Sequence, residues 1–213
     1  MSVALKRVLP LLIAVTGLLY IFVVPSDPFA VKLLSKLIPM WLIIAYAYML
    51  APAHKRRFHA LVLTGLFFCM LGDGLLHWFV IGLGAFLIGH LFYIGGFLCK
   101  WRFSVPATLT IVPLAVYGWL MGRELVQGLV DGGNEALVVP VIAYITVISL
   151  MAWTAIMSRN AWAIVGALLF AVSDSVLAWN MFVDKLAFSG PIIMLTYYGA
   201  QLCLARSIAT ASR

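Results

Sequence analysis

The chain has 213 residues, 65% of them hydrophobic and 10% charged, where soluble domains carry about 25% charged residues. This composition excludes a water-soluble globule, and because lipid satisfies no backbone polar group it leaves only helices or a closed barrel. The net charge of +7 would point to nucleic acid in a soluble chain; in a membrane chain it reports how basic residues divide between the two faces, and no nucleic-acid partner is expected.

The apolar runs are far longer than the alternating strands of a barrel. At about 20 residues per crossing, the expected fold is all-α, a polytopic bundle of about eight transmembrane helices over 8–24, 30–50, 58–77, 79–98, 105–121, 137–157, 161–182 and 190–209. Residues 1–213 are then one integral membrane domain, with no room for a separate soluble one. The first span follows Lys6-Arg7 and resembles a secretory leader, but no small-x-small cleavage site stands near Pro25-Ser26-Asp27-Pro28, so a retained helix is expected. In the second, Lys32 and Lys36 lie one turn apart near the interface. They read as snorkelling anchors, with contact to a lipid phosphate as the alternative.

The third span carries Asp73, with His77 one turn on and expected on the same face. The fourth carries His90 and Tyr93 at i,i+3 among Gly82, Gly84, Gly89, Gly95 and Gly96, which read as close-packing devices. Pro106 and Pro113 interrupt the fifth span, where no acid sits. The seventh holds Asp174 between Ser173 and Ser175, with Asn180 at its end; the eighth presents Tyr197 and Gln201 at i,i+4. Cys69, Cys99 and Cys203 show no CxxC spacing and read as small packing residues.

With both termini on one face, that face collects Lys6, Arg7, Lys55, Arg56, Arg57, Lys100, Arg102, Arg159, Arg206 and Arg213, while Lys32, Lys36, Arg123 and Lys185 fall opposite. The lysine and arginine bias of short loops places both termini in the cytoplasm, as in a bacterial inner membrane protein. Asp27, Glu124, Asp131, Glu135 and Asp184 fall outside.

Asp73 and Asp174 are the only acids within the spans. Each follows a glycine by eight residues, Gly65 and Gly166, in GLFFCMLGDGLL and GALLFAVSDSVL. The match is a weak trace of a four-plus-four internal repeat; chance similarity of apolar helices is the competing explanation. An ionisable group near the bilayer centre costs at least about 2.5–3.5 kcal/mol and normally faces a protein interior or watery cavity. The two acids are therefore the catalytic candidates, although buried acids can also serve only to bond helices together. Gly72, Gly74 and the surrounding Leu and Met offer Asp73 few donors, which favours it as the protonated acid. Asp174, beside two serines, is favoured as the ionised partner that holds water. His90, Tyr93, Tyr197, Gln201, Asn180 and Ser173 are candidates for orienting substrate. GxSxG, HExxH and phosphate-loop motifs are lacking. The histidines lie at different depths, so neither a metal site nor an organic cofactor is expected.

The stretch MLGDGLLHWFVIGLGAFLIGHLFYIGGF at 70–97, with GALLFAVSDSVLAWNMF at 166–182 and TYYGAQ at 196–201, resembles the signature segments of the YhhN-like lysoplasmalogenase family. One segment departs from the family pattern: a Lys-Pro pair is usual, and here Lys36 is followed by Leu37, with Pro39 later. The resemblance implies an ether hydrolase that cleaves the vinyl ether bond of lysoplasmalogens to a fatty aldehyde and a glycerophospho-alcohol, with Lys36 among its substrate-binding residues. Two carboxyls in a low-dielectric pocket suit that chemistry, one donating a proton and one stabilising a cation. The competing class is a non-catalytic lipid-binding protein or small transporter, which intramembrane acids and a repeat also allow.

Overall fold

A computed structural model describes residues 3–50 and 57–210; His54, Lys55, Arg56 and Arg213 lie outside the described residues. The helices are α1 (Val3–Phe22), α2 (Phe29–Leu50), α3 (Arg57–Leu75), α4 (Phe79–Leu98), α5 (Val105–Leu109), α6 (Ile111–Asp131), α7 (Val138–Ser158), α8 (Ala161–Phe182) and α9 (Ser189–Thr210), with no strand among the described residues. Seven stretches are long and apolar enough to cross a membrane, and Arg7–Phe22 of α1 is a shorter apolar stretch. With α5 and α6 counted as one crossing, the eight expected spans are present.

Two boundaries differ from the sequence reading. The fifth span runs on to Asp131 rather than ending near Met121, because Arg123–Glu124 and Gln127–Asp131 satisfy each other along the helix surface. It is interrupted at Thr110, where Pro113 has no N–H to offer the Leu109 carbonyl. The third span stops at Leu75, where the Trp78 amide turns back onto the Leu75 carbonyl. Asp73 thus lies about 3 Å from its helix end rather than about 6 Å.

Two hairpins, α3–α4 and α8–α9, form the most intimate contacts, and glycine makes both possible. A Cβ at Gly65 would stand 2.5 Å from the Tyr93 ring, and one at Gly166 would stand 2.8 Å from Leu204 and 2.9 Å from the Ala200 carbonyl. Small residues that let backbones approach are how membrane helices gain packing energy. Of the five glycines on α4, Gly82 and Gly89 are equally tight, whereas Gly84 faces open space.

Part of the contact pattern recurs between halves. The α2 helix packs on α3 and on α9; α7 packs on α8 and on α4. That exchange is what two four-span units of the same orientation produce about an axis along the membrane normal. The core between them holds Met40, Ile43, Leu66, Phe97, Phe170 and Leu204, all fully buried, while Leu11, Trp119 and Val139 point outward, as lipid-facing side chains do. On α6 only Leu125 and Leu129 are buried.

Candidate active site

Each acid sits on the first helix of a hairpin and is met by a side chain from the helix before it. In the first half, Lys36 of α2 donates to Asp73 Oδ1 at 2.9 Å, and Tyr197 of α9 donates to Oδ2 at 2.6 Å. Asp73 is 4% exposed, so this ammonium and phenol provide much of what water would otherwise supply to the carboxylate. The α2 turn carrying the lysine is held in turn, since Tyr198 donates to the Lys36 carbonyl at 2.8 Å and its ring packs edge-on against Tyr20. In the second half, Tyr144 of α7 donates to Asp174 Oδ2. No cation is paired with Asp174 among the described residues.

Both acids line one cavity of about 500 Å³. Around them it is walled by Lys36, Tyr144, Ser173 and Tyr197, and elsewhere it is almost wholly apolar, with Leu83, Phe86, Leu114, Ile148 and Leu168 among its sides. Such a volume lies within the range of small-molecule sites, with few polar groups placed in an apolar shell.

The structure reverses the environments read from sequence. Asp73, expected to lack donors, has two, because Lys36 and Tyr197 come from helices remote in the chain. Lys36 itself is not a snorkelling anchor; it turns inward, and its ion pair offsets the cost of burial. The Lys32 amine instead donates to the Tyr20 and Val24 carbonyls at the end of α1. The serines beside Asp174 do not hold it. Ser173 donates to the Ile193 carbonyl at 3.0 Å, and Ser175 donates to the Ala171 carbonyl and meets the Tyr117 hydroxyl.

Four residues expected at the substrate do not line the cavity. Asn180 accepts from the Leu186 amide and so closes the α8–α9 turn. Tyr93 donates to Gln201 Oε1 at 2.7 Å, fully buried, so this pair is spent on joining α4 to α9. His90 lies behind the wall, its ring centroid 4.6 Å from that of Phe170 and 5.3 Å from that of Tyr144. Neither of its ring nitrogens has a well-formed hydrogen bond; the backbone of Phe86, one turn earlier, is the polar group it approaches. His77 falls past the end of α3, which removes the helical register that would bring it to Asp73, and packs on Phe29 and Trp78.

Sequence reasoning missed Tyr144. One signal was available: Tyr144 lies near the start of α7 much as Lys36 lies near the start of α2, each on the helix that precedes an acid-bearing one. Among the described residues no group of three or more His, Cys, Asp or Glu is placed to hold a metal ion.

Comparison of the sequence with known proteins identifies its relatives. The model of the YhhN family matches residues 31–208. The chain is 33% identical to lysoplasmalogenase TMEM86B of Mus musculus over 207 residues, 93% of this chain and 85% of the relative. It is 29% identical to lysoplasmalogenase TMEM86A of Homo sapiens over 212 residues, 85% of this chain and 80% of that protein. A lysoplasmalogenase of Mycobacterium tuberculosis is 36% identical over 107 residues, 49% of this chain and 41% of the relative. No solved structure matches.

Proposed function

The chain belongs to the YhhN family, and we propose that it is a membrane-embedded ether hydrolase that cleaves lysoplasmalogens to a fatty aldehyde and a glycerophospho-alcohol, glycerophosphoethanolamine or glycerophosphocholine. The observation that carries this reading is the unequal acid pair: two carboxyls in one apolar cavity, one beside an ammonium and the other beside a phenol alone. Vinyl ether hydrolysis asks for that division of labour. Asp174 donates a proton to the β-carbon of the vinyl ether, leaving an oxocarbenium ion. Asp73, kept as a carboxylate by Lys36, stabilises the cation. Water then adds to the cationic carbon and gives up a proton to Asp174, and the hemiacetal collapses to aldehyde and alcohol. Preorganised charge in a largely apolar, low-dielectric site is worth far more than in solvent.

In this scheme Tyr197 and Lys36 position Asp73, and Tyr144 positions Asp174. Ser173 lines the path of the substrate. His90, Tyr93, Gln201 and Asn180 act through the packing of the walls rather than by touching substrate. The transporter alternative is not favoured: α3 and α8, which carry the acids, run unbroken, and the interruption at Thr110 lies on a different helix. The test is aldehyde release from a lysoplasmalogen by the purified protein in detergent, with a parallel sample in EDTA. Release unaffected by the chelator is the expected outcome; a protein that binds the lipid without releasing aldehyde would overturn the reading.

The protein is an integral, multi-pass membrane protein. We further propose that residues 1–213 act as one membrane domain, with both termini in the cytoplasm of a bacterial inner membrane, on the strength of the basic-residue asymmetry. Reporters fused at residue 56 and at the C-terminus should read cytoplasmic, and one at Gly132 external. A cytoplasmic signal at Gly132 would reverse the orientation.

A further inference from the structure

The cavity that holds both acids is open along one side. Of the large side chains that line it, the strongly exposed ones are Tyr117 on α6 and Leu168, Val172 and Met181 on α8. The lining side chains of every other helix are buried or half-buried. Asp174 is half-buried where Asp73 is buried, as expected if the opening lies on its side. Because α8 is long and apolar enough to cross a membrane, exposed Leu168 and Val172 face hydrocarbon, and the gap between α6 and α8 faces it with them.

One edge of that gap is held only at its ends. Trp153 of α7 donates to the Thr108 carbonyl of α5 at 3.3 Å, the chain is interrupted at Thr110, and no residue from Ile111 to Leu120 is buried. Farther along α6, Leu125 and Leu129 are buried and Gly128 lies against the Phe182 carbonyl. Toward α7 the middle of α6 is closed, since a Cβ on Gly118 would stand 3.3 Å from Ser149 Oγ. Toward α8 the one hydrogen bond of α6 among the described residues joins the Tyr117 and Ser175 hydroxyls. Ser175 gives its own proton to the Ala171 carbonyl, so Tyr117 is the donor, and parting the bond leaves only the phenol without a partner. The hydroxyl and ether oxygens of a lysophospholipid in passage can accept from it. Ser175 directly follows Asp174, so the bond crosses the gap beside the acid, and Val172 and Leu168 continue the gap toward the middle of α8.

We propose that the lipid substrate enters the cavity sideways from the bilayer between α6 and α8, and that the Tyr117–Ser175 hydrogen bond is the latch that parts to admit it. The occupant rests on the proposed hydrolysis; the route does not. Tyr117→Cys combined with Ser175→Cys, with Cys99→Ser and Cys203→Ser and with Cys69 left in place because it is buried, allows the gap to be bridged. The two positions meet across the length of the tyrosine side chain, so a short bis-methanethiosulfonate is used, whose disulfides a reductant reverses. Bridging is expected to lower aldehyde release from bilayer-embedded lysoplasmalogen at least about tenfold, the range over which gating and positioning effects act, and reductant to restore it in the same sample. The two single-cysteine proteins, modified but not bridged, control for the added spacer. Undiminished release from the bridged protein, or an equal loss in either single-cysteine protein, overturns the proposal.

A binding readout separates this from the hydrolase reading. A radiolabelled alkyl-ether lysophospholipid lacks the vinyl double bond and is held without turnover. Loaded into the double-cysteine protein before bridging, it is expected to stay bound against excess unlabelled lipid and to leave when reductant is added. Trapping without any aldehyde release would sink the hydrolase reading and leave the portal standing. In a second variant, Tyr117→Phe, which keeps the ring and removes the latch, uptake and release of the probe are expected to quicken together by about twofold to tenfold, the net worth of one hydrogen bond. Free exchange from the bridged protein would place the route at the other exposed edge of the cavity, at Gly190. Exchange in Tyr117→Phe at the wild-type rate would deny the hydroxyl its part. Either result overturns the proposal, whether or not the protein releases aldehyde.

Discussion

Asp174→Asn is expected to reduce aldehyde release by about 10²–10⁴-fold, the usual worth of a positioned proton donor, with little effect on folding. The amide keeps the shape of the side chain and can still accept from Tyr144, but it has no acidic proton to give to carbon. Asp73→Asn is expected to remove turnover to a comparable degree by a different route, since a neutral amide cannot stabilise the oxocarbenium ion. Unlike Asp174→Asn, it also leaves the inward-turned Lys36 amine without its counter-ion, so a stability loss should accompany it. Steady-state aldehyde release and thermal unfolding in the same detergent distinguish the two variants. If both fold, insert and retain near-full activity, the acids are structural and the two-carboxylate mechanism is wrong.

Lys36→Met should be the most damaging change outside the acids. The Lys36 and Asp73 side chains are 13% and 3% exposed, and removing one member of a buried ion pair typically costs about 3–5 kcal/mol because the other charge is left uncompensated. That is a large share of the roughly 5–15 kcal/mol that holds a typical fold together. Methionine matches the lysine stem, so the loss reports charge and not volume. Combining Lys36→Met with Asp73→Asn removes both charges and should recover much of the stability, but none of the turnover. This coupling is what a double-mutant cycle measures. A Lys36→Met protein as stable and as active as the wild type would show that the amine does not set the state of Asp73.

The two acids were legible in the sequence because charge within an apolar run is costly enough to need a reason, and that cost does not depend on knowing the fold. The helices were legible for a related reason: lipid leaves a backbone no other way to satisfy itself, so hydropathy alone decides where they run. Which partners meet each acid was not legible. Asp73 reads as poorly solvated from Gly72, Gly74 and the adjoining Leu and Met, yet its partners come from residues 36 and 197, brought in by α2 and α9. Asp174 reads as well solvated from its flanking serines, yet those serines turn to the Ile193 and Ala171 carbonyls.

The sequence by itself determined that the chain is a helical membrane protein, roughly where its crossings lie, and which two carboxyls must be explained, because each of these follows from transfer free energies read one segment at a time. Only the tertiary structure decided which acid meets an ammonium and which a phenol, that Tyr144 belongs to the site, and that His90, Tyr93, Gln201 and Asn180 stand behind or beyond its walls. The physical reason is that a buried charge responds to groups within a few ångströms in space. In a bundle whose adjoining halves exchange contacts, those neighbours lie on helices far apart in the chain.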